Sequence, residues 1–153
     1  MPKEDPIALW QHLHGASVHF ALALALVSAA FDLGSKFLGK KEWRTVGFWC
    51  LLVATVLSLP AVVSGFWGQL GWFKADIWQA DQLLRHRNFA LGASLSLLVL
   101  FVWRSLTQDF GINHHSRERR GNRSYVLYLI AMTLAAATIG YAGYLGSYVA
   151  RGY

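Results

Sequence analysis

The sequence predicts an all-α integral membrane protein, a four-helix up-down bundle with both chain termini on the outer side of the membrane. Its 153 residues are 55% hydrophobic and 14% charged, whereas an average soluble domain is roughly 25% charged. Four stretches lack Asp, Glu, Lys and Arg altogether, at residues 16–31, 45–73, 88–103 and 124–150. Each approaches or exceeds the roughly 17–25 residues that a helix needs to cross a bilayer. No amphipathic element remains to face water, which argues against a soluble protein.

These stretches predict a single transmembrane domain over residues 1–153, with helices at about 14–38, 45–72, 84–106 and 124–150. The first helix is a retained span rather than a secretory signal peptide, because its leader is not basic and three lysines follow the apolar run. Pro60 lies within the second span and should kink it. Glycines at helical spacing are expected to allow close helix packing: Gly65 with Gly68, and Gly140 with Gly143 and Gly146. Asp32, an acid within a span, is expected to pair with Lys36 one turn later.

Basic residues are divided unequally between the two ends of the predicted bundle. Nine fall in or beside the connections between helices one and two and between helices three and four: Lys36, Lys40, Lys41, Arg44, Arg104, Arg117, Arg119, Arg120 and Arg123. The other end carries five basic residues, partly offset by four acids. Because positively charged loops remain in the cytoplasm, both termini should face the periplasm from a bacterial inner membrane. The net charge of +6 then reflects topology and contact with the lipid bilayer, and needs no nucleic-acid partner.

Aromatic residues concentrate in the outer half of this predicted bundle: Trp10, Trp67, Trp72, Trp78, Tyr141, Tyr144, Tyr148 and Tyr153. Trp and Tyr are enriched where spans meet the membrane interface, so most of these residues are expected to be anchors. Aromatic faces also stack on flat rings, so a few of them could line a quinone or another planar cofactor.

Three histidines are the candidate site residues, because they fall at the same end of the predicted bundle. His14 and His19 lie at the outer end of helix one, and His86 lies at the outer end of helix three. Helices one and three run in the same direction in an up-down bundle, so all three imidazoles arrive at the outer face. Ionisable side chains within a span are costly and by default mark a functional site.

Two imidazoles from different helices are the axial ligands that the iron of a b-type haem requires. We therefore predict haem b between helices one and three, with His19 and His86 as preferred ligands and His14 as the substitute. Arg85 and Arg87 are expected near the haem propionates. Zinc or copper is an alternative, although no cysteine or carboxylate joins the histidines on that face. The remaining alternative is that these histidines bond only to backbone or lipid headgroups.

Depth along the helices bears on the choice of ligand. His19 lies about 7 Å deeper than His14, at 1.5 Å per residue, whereas His86 lies just before its own apolar run. If helix three does not begin early enough to bring His19 and His86 to the same depth, His14 is the better second ligand for the iron. His19 then becomes a supporting or quinone-facing residue. His114 and His115 fall in a basic connection, where a solvated pair is expected.

Several motifs together resemble a known family. Helix one opens with His14-Gly-Ala-Ser-Val-His-Phe, helix two ends near Ser64-Gly65, helix three starts with His86-Arg-Asn-Phe, and helix four closes with Gly140-Tyr-Ala-Gly-Tyr-Leu-Gly. In these features nearly the whole chain resembles the bacterial domain-of-unknown-function family 2231. The resemblance implies a four-helix membrane protein with family histidines at these positions, and it implies no established activity.

The sequence thus predicts a small b-type cytochrome-like membrane subunit that passes electrons between the quinone pool and a redox partner on the outer side. It would be at most a redox subunit of an oxidoreductase or respiratory complex, by analogy with four-helix electron carriers. The alternative is a non-redox structural or assembly subunit, which packs against a larger membrane complex through its small-residue and aromatic faces.

Overall fold

The computed structural model describes residues 6–69, 77–107 and 118–151, and almost all of them lie in four α-helices. The helices are α1 (Pro6–Leu38), α2 (Lys41–Gln69), α3 (Ile77–Thr107) and α4 (Glu118–Arg151). Each contains a segment of 26 to 28 residues that is long and apolar enough to cross a membrane: His12–Leu38, Glu42–Trp67, Ala80–Thr107 and Ser124–Val149. The prediction of an all-α chain with four such helices is confirmed.

The helices differ from the predicted ones mainly at their beginnings. All four start before the apolar runs that predicted them, because a helix that crosses the hydrocarbon core can continue into the interfacial region. The predicted end of the second helix, at residue 72, lies outside the described residues.

A tight connection joins α1 to α2. Gly39 adopts a left-handed conformation with a φ of 69°, which glycine reaches without steric cost and which commonly ends a helix. The Trp43 N–H then donates to the Lys40 carbonyl at 3.2 Å as α2 begins. A Cβ atom on Gly34 would lie 2.5 Å from the Trp43 ring. Glycine at that position therefore lets α2 pack closely against the end of α1.

The core lies between the helices and consists largely of small and aliphatic residues. Helix α1 packs against α2 and α4, and α3 packs against α2 and α4. Buried core residues from the four helices include Ala25, Leu51, Leu97 and Met132. Alanine at many core positions lets the helix backbones approach closely. Large apolar side chains are exposed on all four helices, as expected of surfaces that face lipid.

A buried ion pair joins α1 to α3 at the end of the bundle where both helices finish. Asp32 is fully buried and Arg104 is 4% exposed, and the Arg104 Nη1 group donates to Asp32 Oδ2. The Tyr128 hydroxyl on α4 donates to the same carboxylate oxygen at 2.8 Å. The sequence predicted Lys36 as the ion-pair partner of Asp32, whereas in the structure the partner is Arg104. Lys36 is exposed, whereas Arg104 can be buried with the carboxylate.

Helix α2 completes this cluster through its backbone. Arg104 Nη2 donates to the Arg44 carbonyl, and Ser28 on α1 donates to the Gly47 carbonyl at 2.7 Å. A Cβ atom on Gly47 would lie 2.5 Å from Asp32 Oδ1, so a side chain there would displace the carboxylate. All four helices therefore meet around one buried ion pair, and we call this part of the molecule the ion-pair end.

Removing either partner of this pair should strongly destabilise the protein. We expect Asp32→Asn and Arg104→Met each to lower the free energy of unfolding by about 3–5 kcal/mol, because the remaining partner stays buried without compensation. Unfolding in mixed detergent micelles would measure the change.

Asp81 and Arg85 form a matched control, because their ion pair at 2.9 Å is exposed. Asp81→Asn should cost about 0–1 kcal/mol, as exposed pairs do. Equal effects of Asp32→Asn and Asp81→Asn would show that the buried pair does not hold the helices together.

Candidate functional site

The structure brings two histidines together at the opposite end of the bundle, where α1 and α3 begin. The imidazole centroids of His14 on α1 and His86 on α3 are 6.2 Å apart, and their planes are perpendicular, at 90°. Both side chains are half-buried. We call this part of the molecule the histidine end.

The His14 ring is oriented by α2. Its Nδ1 lies 2.8 Å from the Ala61 carbonyl oxygen and 3.3 Å from the Ser64 hydroxyl. Since a carbonyl only accepts, Nδ1 carries the proton and donates it. The Ser64 hydroxyl donates to the Pro60 carbonyl at 2.6 Å, which leaves its oxygen able to accept from His14. In a neutral ring bonded in this way, Nε2 has a free lone pair.

The His86 ring is held in the same way by α4. Its Nδ1 donates to the Ala142 carbonyl oxygen at 3.0 Å, so Nε2 is again the nitrogen with the lone pair. No hydrogen bond reaches Nε2 of either His14 or His86 from the described part of the chain. Metal-bound histidines commonly have this arrangement, in which the second ring nitrogen donates to a backbone carbonyl.

A glycine makes room for each imidazole. Gly65 lies four residues after Ala61, and Gly146 lies four residues after Ala142. A Cβ atom would come within 3.0 Å of His14 Cε1 at the first position and within 2.9 Å of His86 Cε1 at the second. Because both glycines lack that atom, each imidazole can lie against the partner helix and reach its carbonyl group.

The separation of the two ring centres is similar to that of two imidazoles that bind one metal ion. An imidazole nitrogen binds a metal at about 2.0–2.1 Å, and the ring centre lies about 1.1 Å behind that nitrogen in a ring with bonds of about 1.33 Å. Two opposed imidazoles on one metal therefore have centroids about 6.3 Å apart. The observed separation of 6.2 Å agrees with this value.

The described residues at this end offer two imidazole donors, from His14 and His86. Among the residues that the structure describes, no group of three or more His, Cys, Asp or Glu side chains could hold an ion. Zinc sites in proteins use three or four protein ligands. Two imidazoles suffice where the metal already has four other ligands, as iron has in a porphyrin.

His19 does not join this pair. It is exposed, and its Nδ1 donates to the Gly15 carbonyl on its own helix. Five residues at 100° each place His19 about 140° around the helix from His14. The structure thus pairs His86 with His14, whereas His19 was the ligand predicted opposite His86.

The other residues predicted for this site do not form part of the histidine pair. Arg85 is exposed and paired with Asp81, while Arg87 is half-buried, one position after His86. His114 and His115 lie outside the described residues.

Of the predicted aromatic residues, four have described side chains, and all are exposed: Trp67, Tyr141, Tyr144 and Tyr148. The tyrosines form a row along α4, in which the Tyr144 and Tyr148 hydroxyls are 2.7 Å apart. Phe89 of α3 packs edge-on against Tyr141, with ring centroids 4.8 Å apart. These rings therefore cover the outside of α3 and α4 near the histidine end.

The sequence did not predict which residues orient the two imidazoles, although it singled out Gly65 and Gly146 for helix packing and Ser64 within a family motif. The orienting residues are Ala61, Ser64, Gly65, Ala142 and Gly146. The signal available was an Ala-x-x-x-Gly spacing near the ends of α2 and α4, which occurs too widely in membrane helices to indicate a site by itself.

Comparison with known proteins identifies a family but no characterised relative. No curated protein and no solved structure has significant similarity to the chain. The family model described as predicted membrane protein (DUF2231) matches residues 11–153, a range that includes the four apolar helical segments and both paired histidines. The chain therefore belongs to the DUF2231 family of predicted membrane proteins.

Proposed function

We propose that this multi-pass membrane protein is a b-type cytochrome-like electron-transfer subunit that holds haem b between α1 and α3. His14 and His86 would be the axial ligands. The observation that supports this assignment is their centroid separation of 6.2 Å, together with Nδ1 groups that donate to backbone carbonyls and leave both Nε2 lone pairs for iron.

The chemistry of such a site is electron transfer rather than catalysis on a bound substrate. Haem would supply a one-electron carrier, and the His14 and His86 imidazoles would hold it through Nε2. The residues of this chain would orient the ligands and keep water from the macrocycle within an apolar bundle. Arg87, half-buried and next to His86 in the sequence, would serve a propionate. Arg85 could serve another only by exchanging its contact with Asp81.

We further propose an up-down bundle in the bacterial inner membrane, with both termini in the periplasm. Contacts between the start of α1 and the end of α2, and between the start of α3 and the end of α4, support the up-down arrangement. The excess of basic residues at the opposite end supports the orientation. The haem would then lie near the outer face, where it could exchange electrons with quinone or with a periplasmic redox protein.

A second candidate function is that of a non-redox structural or assembly subunit in a larger membrane complex. Gly92 and Gly140 favour it, because both are exposed within apolar segments and a Cβ atom on either would meet nothing within 4 Å. Small residues on an outward face let another transmembrane helix approach closely. A colourless protein purified in fixed stoichiometry with other subunits would support this candidate over the haem protein.

Removing either axial ligand should abolish haem binding. We expect His14→Ala and His86→Ala to lose the Soret band of the purified protein, because each removes one of the two ligands that the protein would supply to the iron. His19→Ala is the matched control and should retain the band, since its ring belongs to another face of α1. Visible spectra of oxidised and dithionite-reduced samples would measure occupancy, and full retention of haem by His86→Ala would exclude this ligation.

The two glycines beside the rings should control ring orientation. Gly65→Ala and Gly146→Ala place a methyl carbon 3.0 and 2.9 Å from an imidazole carbon, closer than van der Waals contact, so each should lower haem occupancy or rotate a ring. Perpendicular imidazole planes give ferric low-spin haem a strongly anisotropic electron paramagnetic resonance signal, which a rotated ring would alter. Gly92→Ala enters open space and should leave the signal unchanged. Identical spectra for all three variants would contradict the proposed packing.

The proposed orientation can be tested with topology reporters. A reporter active only in the periplasm should be active when fused after Tyr153, because the basic connections hold the other end in the cytoplasm. A reporter active only in the cytoplasm should be active when fused after Thr107, which serves as the matched position. The reverse pattern would place both termini in the cytoplasm.

A further inference from the structure

We propose that His19 binds a lipid-soluble quinol on the outward face of α1, by accepting a hydrogen bond from a quinol hydroxyl at Nε2. The proposal names a substrate class for the electron-transfer function, and it rests on the proposed haem site only for the destination of the electrons. The binding itself depends on α1 alone.

The position of His19 calls for a partner that comes from the membrane. The residue is exposed, yet it lies within the apolar segment His12–Leu38. A polar side chain that faces hydrocarbon without a partner is costly. Lipid tails offer it no hydrogen bond, whereas a molecule that dissolves in the bilayer and carries a polar group can supply one at this depth.

The hydrogen bond within α1 decides which polar group fits. His19 Nδ1 donates to the Gly15 carbonyl, so Nε2 of the neutral ring is an acceptor. No donor from the described residues bonds to Nε2. A quinol offers hydroxyl donors, whereas an oxidised quinone offers only carbonyl acceptors. The ring is therefore suited to the reduced form.

The surface around His19 has room for a flat ring. A side chain on a helix leans over the preceding turn, which here contains Gly15 and Ala16. A Cβ atom on Gly15 would meet nothing within 4 Å, so this surface is open. Phe20 is 64% exposed beside it and offers an aromatic face for stacking.

The same helix connects this surface to the histidine end. His14 precedes His19 by five residues, a rise of about 7 Å along the axis. A hydroxyl bound at His19 would thus lie close to the proposed haem, on the lipid side of α1. Quinol could reach it laterally from the bilayer without entering the bundle.

The test is nuclear magnetic resonance of protein containing ¹⁵N-labelled histidine, in quinone-free lipid nanodiscs reduced with dithionite. The probe is a decyl-substituted benzoquinol, and its dimethyl ether is the matched ligand because it keeps the ring but has no hydroxyl donor. We expect the quinol to shift the His19 Nε2 resonance, identified by its loss in His19→Leu, and the ether to leave it in place. Quinol affinity should fall about tenfold in His19→Leu, the value of one hydrogen bond.

His12→Leu is the matched protein control. His12 is also exposed on α1 and lies two turns from His19, so its replacement should leave quinol binding unchanged. An equal shift with the ether, or unchanged affinity in His19→Leu, would overturn the proposal. A shift that appears without quinol when several copies share one nanodisc would overturn it too, and would assign this face to self-association.

Failure of the haem proposal would be visible separately. His14→Ala should lose haem and still show the quinol-dependent shift of His19. A colourless wild-type protein that shows the shift would leave quinol binding established and would remove only the proposed electron acceptor.

Discussion

The arrangement of the four helices depends on the buried ion pair between Asp32 and Arg104. A charge within an apolar bundle is tolerated only when it is paired and hydrogen-bonded. That requirement brings α1 to α3, and the contacts of Tyr128 and of the α2 backbone draw in the other two helices. Once these groups meet, the rotation of each helix about its own axis is fixed.

This fixed rotation also determines what meets at the histidine end. On every helix, the residue that contacts the ion pair and the residue at the histidine pair are 18 residues apart: His14 and Asp32, Gly65 and Gly47, His86 and Arg104, Gly146 and Tyr128. Eighteen residues make five turns of 3.6 residues, so both members of each pair share one face. The two ends lie about 27 Å apart at 1.5 Å per residue, close to the roughly 30 Å thickness of the hydrocarbon core.

Composition was enough to predict the four apolar helices, because four charge-free runs of this length rarely occur together outside membrane-spanning bundles. The positions of the histidines relative to these runs were enough to predict that His14, His19 and His86 lie near one end of the bundle. The choice between His14 and His19 depends on the rotation of α1 relative to α3, which no local pattern contains. The sequence did hold the answer in the equal spacings of His14 to Asp32 and His86 to Arg104. The prediction that Asp32 pairs with Lys36 on the same helix left Arg104 without an assigned partner, so these equal spacings were not used.

The glycines show a different limit of sequence reasoning. Gly65 and Gly146 were expected to permit close helix packing, and each does allow a close approach, but by an imidazole ring. The absence of a Cβ atom indicates only that another group packs closely against the glycine. The identity of that group follows from tertiary contacts, which here join residues 51 and 60 positions apart in the chain.

The three histidines share one hydrogen-bonding pattern and differ in the helix that supplies the acceptor. His14 and His86 donate to carbonyls of neighbouring helices, so their rings are fixed between helices and their lone pairs remain for the proposed haem. His19 donates to its own helix, so its ring stays on the outer surface. The helix that supplies the acceptor carbonyl therefore decides whether an imidazole lies between helices or on the outer surface of the bundle.

Preorganisation follows from the same contacts. Each paired imidazole has its tautomer set by a carbonyl and its position set by a glycine surface, and both constraints arise from protein groups alone. A cofactor that binds rings already at the required spacing does not have to order them, so less of its binding free energy is lost to conformational entropy. The ion-pair end contributes to this from five turns away, because it holds in register the two helices that present the rings.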